Sequence, residues 1–473
     1  MAAFTPCRFP ATVATMFQMV TLPLWLFVLI LLFAAVTFAS HFLFPSVRWF
    51  FRRRAEKVVA RLNERLEKPI EPFKLARRYD MIQRLVYDPQ VAEAINDHAR
   101  RNKVPENVAF ERARRYAREI VPSFSATLYF TFGARLAEWL SRSLYHVRVG
   151  RFDRDLYDQI DPEATVVFVM NHRSNMDYVL VTHLVSQTSA LSYAVGEWAR
   201  VWPLSGLIRM MGAYFIRRRS RGDLYRRVLA RYVQLATKGG VTQAVFPEGG
   251  LSLNGGLGPP RLGILSYIAS TYDPQGRDIV FVPVGLNYDR VLEDKILLDA
   301  GEAGNRRFRP PLLPAALRLL RHLGQRITGR FRRFGTATVS FGAPLSLRDM
   351  ADPHDVQALG EALMHRIAEV VPLLPVPLVA HALLAGAGSR AEVRAHVEEV
   401  MAGLHEAGAV LPRRTVDQVV TDGIEILTRR KLVASGHDGR LIMTEPEADV
   451  LGFYARSIAH HFPAEPGPAA SGS

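Results

Sequence analysis

The sequence has almost no cysteine. Cys7 stands alone among 473 residues, which excludes an intramolecular disulfide framework, a multi-cysteine zinc site and a CxxC redox pair. Acidic residues are also short: 45 Asp and Glu against 60 Lys and Arg leave a formal charge of +15. A chain this basic should meet something anionic, whether nucleic acid, a lipid surface or a phosphorylated substrate. The sequence shows no internal repeat. Wholesale disorder is excluded as well, because 49% hydrophobic and 22% charged residues supply enough apolar material for a core. The length suits two to four domains of roughly 100–200 residues each.

Charge is missing in one further place, from Thr21 to Ser40 (TLPLWLFVLILLFAAVTFAS). About 20 apolar residues cross a bilayer as a helix. Trp25 and Trp49 sit near its ends, where amphipathic aromatics favour the interface. Arg48, Arg52, Arg53 and Arg54 follow, while only Arg8 precedes, so the positive-inside rule puts the body of the protein on the cytoplasmic face of the cell (inner) membrane. A cleaved signal peptide would have a shorter apolar core and its basic residues in front. Residues 1–50 therefore read as an N-terminal transmembrane anchor.

The remainder divides by pattern. Residues 51–150 read as a basic helical region, with seven Arg or Lys between Asn96 and Glu119; such a face is solvated or lies on anionic lipid. Phe124–Leu144 is apolar but interrupted by charge, which suits an interfacial or buried helix better than a second span. Residues 151–350 alternate β-branched runs with helical stretches. Thr165–Met170, Thr242–Phe246, Asp278–Val284 and Thr336–Phe341 are the strand candidates, and Leu224–Thr237 and Ile264–Ser270 are helical. The expected fold class is α/β, a sheet flanked by helices. Arg306–Arg333 reads as a basic insertion of loop and helix. Residues 351–462 read as a helical C-terminal extension. In it Val371–Leu384 is a packed helix with an extended, proline-bearing lead-in, and a turn-linked strand pair spans Lys431–Thr444. Residues 463–473 read as a disordered tail.

The chemistry clusters after the first strand candidate, which ends in Asn171-His172-Arg173-Ser174-Asn175-Met176-Asp177. Active sites of open α/β sheets lie at the carboxyl ends of strands. Five steps of 100° keep His172 and Asp177 off one helix face. With His172 in a loop and Asp177 in the first helical turn, the carboxylate folds onto the imidazole. It then fixes one ring nitrogen, and the other can take a proton from a hydroxyl. By chance alone, about one HxxxxD pair is expected in a chain with 14 His. Further segments add weight. Gly212-Ala213-Tyr214-Phe215-Ile216 leads into Arg217, Arg218 and Arg219, whose guanidinium groups suit phosphate. Phe246-Pro247-Glu248-Gly249-Gly250 follows a strand and lets backbone approach an anion. Val280-Phe281-Val282-Pro283-Val284-Gly285-Leu286-Asn287-Tyr288 is a strand with a polar end.

In this order, NHRSNMD, GAYFIRRRS, FPEGG and VPVGLNYDRV resemble the four blocks of the glycerophospholipid acyltransferases. FIRRRSRGDLY, VPVGLNYDRVLED and LGFYARSIAHHF (Leu451–Phe462) are similar to the membrane-bound glycerol-3-phosphate acyltransferases of that HxxxxD family. The resemblance covers about 150–462. It implies transfer of a fatty acyl group from an acyl thioester, on coenzyme A or acyl carrier protein, to the sn-1 hydroxyl of glycerol 3-phosphate, giving lysophosphatidate for phospholipid synthesis. It implies His172 as general base and Asp177 as its orienter. Arg217, Arg218, Glu248 and Gly249 are implied in acceptor binding, with Arg261 in the place of a later basic residue. No cofactor and no metal is implied, since the thioester is already activated. Donor, acceptor, membrane lipid and acyl carrier protein are the implied partners. In one respect the chain departs from the family. The third block there reads EGGRSR, and here Leu251 and Leu253 replace both arginines. Arg219 and Arg221 could compensate, or the acceptor is lysophosphatidate or another lysolipid. A non-catalytic lipid-binding scaffold is a further alternative, against which the intact His172, Asp177 and Glu248 speak. A winged-helix-like reading of the C-terminal helices and hairpin would suit DNA, but fold analogy alone carries little function, so nucleic acid is not the expected partner.

Overall fold

The computed structural model describes residues 23–34, 57, 59–196, 204–217, 222–303, 333–436, 439–444 and 448–462. The chain forms two compact units, Met1–Arg61 and Leu62–Ser473. In the first, Leu24–Ala34 is an apolar helix; the rest of the expected span, with Trp49 and the arginines behind it, lies outside the described residues. Among the described residues no single helix is long and apolar enough to cross a membrane.

The second unit is built on one eight-stranded sheet. Its strands are β1 (His146–Val149), β2 (Thr165–Met170), β3 (Ser192–Gly196), β4 (Tyr214–Ile216), β5 (Gln243–Val245), β6 (Ile279–Tyr288), β7 (Thr336–Phe341) and β8 (Leu345–Ser346). The order is β1-β7-β6-β2-β5-β3-β4, with β8 also on β6. β6, β2, β5, β3 and β4 pair in parallel, whereas β7 and β8 run antiparallel to β6. Every residue of β2 and β6 is buried, as expected of parallel strands covered on both faces. Alternation along β2 splits its side chains between two cores. Val166, Phe168 and Met170 face one, and Val167 and Val169 the other. Pro283 sits in β6 where the neighbour changes from β8 to β7. Its carbonyl accepts from Gly342 N–H on that side, so the missing donor falls in the gap between the two partners.

The sheet begins before residue 151. β1 is an edge strand whose His-Val-Arg-Val composition carries charge, which discourages edge-to-edge pairing and hides it from a search for apolar runs. One face is covered by Arg78–Val86, Pro89–Asn102, Glu106–Ile120 and Asp223–Lys238. Ala109, Ala113 and Ala117 form a buried stripe there, which leaves Arg112, Arg114, Arg115 and Arg118 on the outer sides. The other face carries Ala134–Leu144, Met176–Val185 and the C-terminal helices from Pro375 onward, while Val356–Val370 packs on the first face. Pro375–Leu384 is buried almost throughout, as a packed helix should be. Arg390–Glu406 and Val416–Arg429 each open with a capping box, Ser389 with Glu392 and Thr415 with Gln418. The hairpin of β9 (Val433–Ser435) and β10 (Leu441–Met443) follows. Ala448–Ala455 and the 3-10 turn Arg456–His461 then return to the sheet, where Ser457 meets Asn287 and Arg456 Nε donates to Asn254 O at 2.8 Å. Residues 304–332, most of the expected insertion, and the tail 463–473 lie outside the described residues.

Candidate active site

β2 delivers the chain into a buried loop at its carboxyl end. Asn171 fixes the exit: its side chain donates to Leu286 O at 2.9 Å and accepts from Leu286 N at 2.8 Å, tying the loop to β6. His172 comes next and is 1% exposed. The helix Met176–Val185 then starts, with Asp177 in its first turn and fully buried. This is the arrangement expected from the spacing. His172 Nδ1 lies 2.9 Å from Asp177 Oδ2.

The carboxylate is held from every side. Asp177 Oδ2 also accepts from Arg173 N at 2.7 Å and Ser174 N at 3.0 Å, while Tyr288 Oη donates to Oδ1 at 2.7 Å. Burial and the Asp177 charge push the Tyr288 hydroxyl well above its usual range, so it stays a donor. An ionised carboxylate accepts only, so Nδ1 carries the proton and Nε2 is the nitrogen that can exchange one. The imidazole stacks on Phe246 at 3.9 Å and meets Tyr178 edge-on at 5.4 Å. Ser252 N–H donates to His172 O at 2.9 Å.

Glu248 braces the same loop. One carboxylate oxygen accepts from His172 N at 2.9 Å and the other from Gly258 N at 3.0 Å. Burial raises its pKa to about 7 against those amides, which act to lower it. Gly249 has φ +68°, and a Cβ there would strike the Arg261 side-chain stem, so only glycine lets Arg261 cross this turn. Glu293 accepts from Ser174 Oγ at 2.8 Å and Asn175 Nδ2 at 3.1 Å; burial raises its pKa. Arg173 donates to Gly255 O and lies 5.2 Å from the Phe453 ring, and burial lowers its pKa to about 10. A cavity of about 300 Å³ at the β1–β7 edge, lined by His146, Asp289, Arg333 and Arg414 among others, shares none of these residues.

Of the residues read from the sequence, His172, Asp177, Glu248, Gly249 and Arg261 converge. Arg217 does not meet the expectation of a phosphate ligand. Its fork is filled by Glu119, with Nε to Oε1 at 2.8 Å and Nη2 to Oε2 at 2.7 Å, between the rings of Tyr116 and Tyr225. That carboxylate holds its pKa above the usual arginine range. The physical reason is that a bidentate carboxylate occupies the donors a phosphate would use. Arg218, Arg219 and Arg221 lie outside the described residues. Leu251 and Leu253 pack against the apolar core. Sequence reasoning missed Tyr288, Glu293 and Phe246 as site residues. Tyr288 and Phe246 stood inside motifs, but their contacts depend on sheet register.

The comparisons with known proteins fall on the same segments. The acyltransferase family profile matches residues 151–287, and the profile of the glycerol-3-phosphate acyltransferase C-terminal region matches 324–467. The chain thus carries an acyltransferase domain followed by a region similar to the C-terminal region of glycerol-3-phosphate acyltransferases. The glycerol-3-phosphate acyltransferase of Pseudomonas entomophila (strain L48) is 28% identical over 452 residues, which covers 89% of this chain and 53% of that protein. The glycerol-3-phosphate acyltransferase of Pseudomonas putida strain KT2440 is 28% identical over 421 residues, covering 82% and 49% respectively. The chain thus spans about half the length of these curated relatives. The crystal structure of the 1-acyl-sn-glycerophosphate (LPA) acyltransferase PlsC from Thermotoga maritima aligns with 54% of this chain and 80% of its own, at 18% identity and a TM-score of 0.31.

Proposed function

We propose that this protein moves a fatty acyl group from an acyl thioester to the sn-1 hydroxyl of glycerol 3-phosphate, giving lysophosphatidate. The observation that carries the reading is the buried His172–Asp177 pair, clamped by backbone amides at the carboxyl end of β2. His172 Nε2 takes the acceptor hydroxyl proton as that oxygen bonds to the thioester carbonyl carbon. The tetrahedral adduct then collapses, the carbon–sulfur bond breaks, and the departing thiolate takes the proton back from the imidazolium. Asp177 holds the ring tautomer and offsets the charge on the imidazolium. Glu248 positions the main chain of His172. A positioned base of this kind contributes about 10²–10⁴-fold. The donor is acyl-CoA or acyl carrier protein thioester, and no cofactor takes part. Arg218 and Arg261 receive the acceptor phosphate. The site works at the cytoplasmic face of the cell membrane, with Thr21–Ser40 as anchor.

A second reading keeps the chemistry and changes the acceptor. Leu251 and Leu253 stand where the resembling third block has two arginines, so two phosphate-binding cations are missing there, which favours a lysolipid over a small phosphate ester. One assay separates the two. Detergent-purified protein is given labelled acyl-CoA or acyl carrier protein thioester, with glycerol 3-phosphate, lysophosphatidate and a lysolipid panel in parallel. Lysophosphatidate from glycerol 3-phosphate supports the first reading, transfer only to a lysolipid supports the second, and no transfer to any acceptor overturns both.

A further inference from the structure

The helix Ala134–Leu144 has a buried face that packs on Met176–Val185, the helix that carries Asp177. Its buried positions are Ala137, Ser141, Ser143 and Leu144. The opposite face holds large apolar side chains in water. Leu136 is 38% exposed and Trp139 42%, three residues apart on this helix, and Phe132, in the π-helical turn Leu128–Gly133 that leads into it, is 48% exposed four residues before Leu136. Met210 adds another apolar side chain at 38% exposure, and its carbonyl is bonded by Ser125 N–H just ahead of this segment. Arg135 and Arg142 lie exposed along the same stripe. Arg142 is paired with Glu138 at 3.1 Å, and no partner of Arg135 is found among the described residues.

We infer that this stripe docks on an anionic lipid surface. The buried centre of a protein interface is depleted of charge. Here two arginines alternate with a tryptophan, a phenylalanine and a leucine, as in helices that lie in the membrane plane. Their aliphatic stems can follow the apolar side chains down while the guanidinium groups stay at headgroup depth. With Glu138 set against Arg142, Arg135 gives the stripe its net positive charge. The place in the fold gives the contact a purpose. The helix runs into Tyr145, whose ring lies 5.4 Å from Tyr288, and Tyr288 holds Asp177. Lipid at this face lies one helix away from the catalytic pair, where an acyl donor and a lysolipid product can partition. That purpose rests on the proposed acyl transfer, whereas the contact is measured without turnover.

The test uses the full chain with Cys7→Ser and one new cysteine, Phe132→Cys or Trp139→Cys, labelled with an environment-sensitive fluorophore. Ile442→Cys, at a site 55% exposed on β10, is the control. Protein is bound to phosphatidylcholine–phosphatidylglycerol vesicles or to phosphatidylcholine vesicles, each with nitroxide lipid. Lipid nitroxide should quench the probe at 132 and 139 about two-fold or more, more strongly on the anionic vesicles, and leave 442 bright. Equal quenching at 139 and 442 on vesicle-bound protein overturns the inference. So does concentration-dependent shielding of 139 without vesicles, which would assign the face to a second copy of this chain.

Discussion

Asp177→Asn removes a charge and leaves the shape. In the folded protein Oδ2 accepts three hydrogens, from His172 Nδ1, Arg173 N and Ser174 N, and Oδ1 accepts one from Tyr288. An asparagine oxygen at the Oδ2 place keeps the first three. Its amide then faces the Tyr288 hydroxyl, which turns to accept. The fold should therefore survive. What disappears is the negative charge that faces the imidazolium formed during transfer. Two unit charges 2.9 Å apart interact by about 6 kcal/mol at an effective dielectric of 20. At 1.36 kcal/mol per factor of ten, kcat should fall by about 10⁴-fold. The assay is acyl transfer to glycerol 3-phosphate by wild type and variant in the same detergent, with circular dichroism and melting temperature as fold controls. A folded Asp177→Asn enzyme within tenfold of wild type would refute the role given to this carboxylate.

Three more perturbations separate site chemistry from scaffolding. Arg217→Ala should lower stability by about 2 kcal/mol and leave the acceptor KM unchanged. It strands the buried Glu119, but Arg217 is one-third exposed, so the effect falls below the full penalty for breaking a buried pair; a raised acceptor KM at unchanged melting temperature would restore it as a phosphate ligand. Glu248 makes stability depend on pH. Its folded pKa of about 7 lies above the usual 4.5, so between those values the folded chain binds more protons than the unfolded one and stability falls as pH rises. The gap amounts to about 3 kcal/mol above pH 7, at 1.36 kcal/mol per pH unit. The stability of wild type relative to Glu248→Gln should fall by up to about 3 kcal/mol as pH rises through this window, and parallel pH profiles would contradict the assignment. Gly249→Ala should cost about 1–3 kcal/mol through its positive φ and displace Arg261, lowering both melting temperature and turnover; wild-type values for both would show that the turn relaxes freely.

What could be read in advance followed how far each signal travels along the chain. Thr165–Met170 and Asp278–Val284 announce themselves because parallel strands buried on both faces are continuous apolar runs. β3 and β4 are only five and three residues long, and β1 alternates with charge at an edge, so none of them gives such a run. The His172–Asp177 contact was legible because five residues of loop and first helical turn contain all of it. The Tyr288 contact was not: it depends on the parallel register that sets Met170 opposite Val284 and carries β6 four residues further. Arg217 shows the converse. Its run of arginines suggested an anion site, but Glu119 lies 98 residues earlier and meets it only through the packing of Glu106–Ile120 on β4. Residue type and spacing thus located the local chemistry, while long-range pairing decided which cations were already neutralised.

The measurement closest to the central claim is acyl transfer by His172→Ala, folded and in the same detergent as wild type. Labelled acyl thioester and glycerol 3-phosphate are supplied, and lysophosphatidate formation is followed in a single turnover. If His172 Nε2 takes the acceptor proton, the variant loses product formation by about 10²–10⁴-fold while its melting temperature stays near that of wild type. Near-normal turnover in the folded variant would contradict the mechanism and show that the buried His172–Asp177 pair serves the fold rather than the reaction.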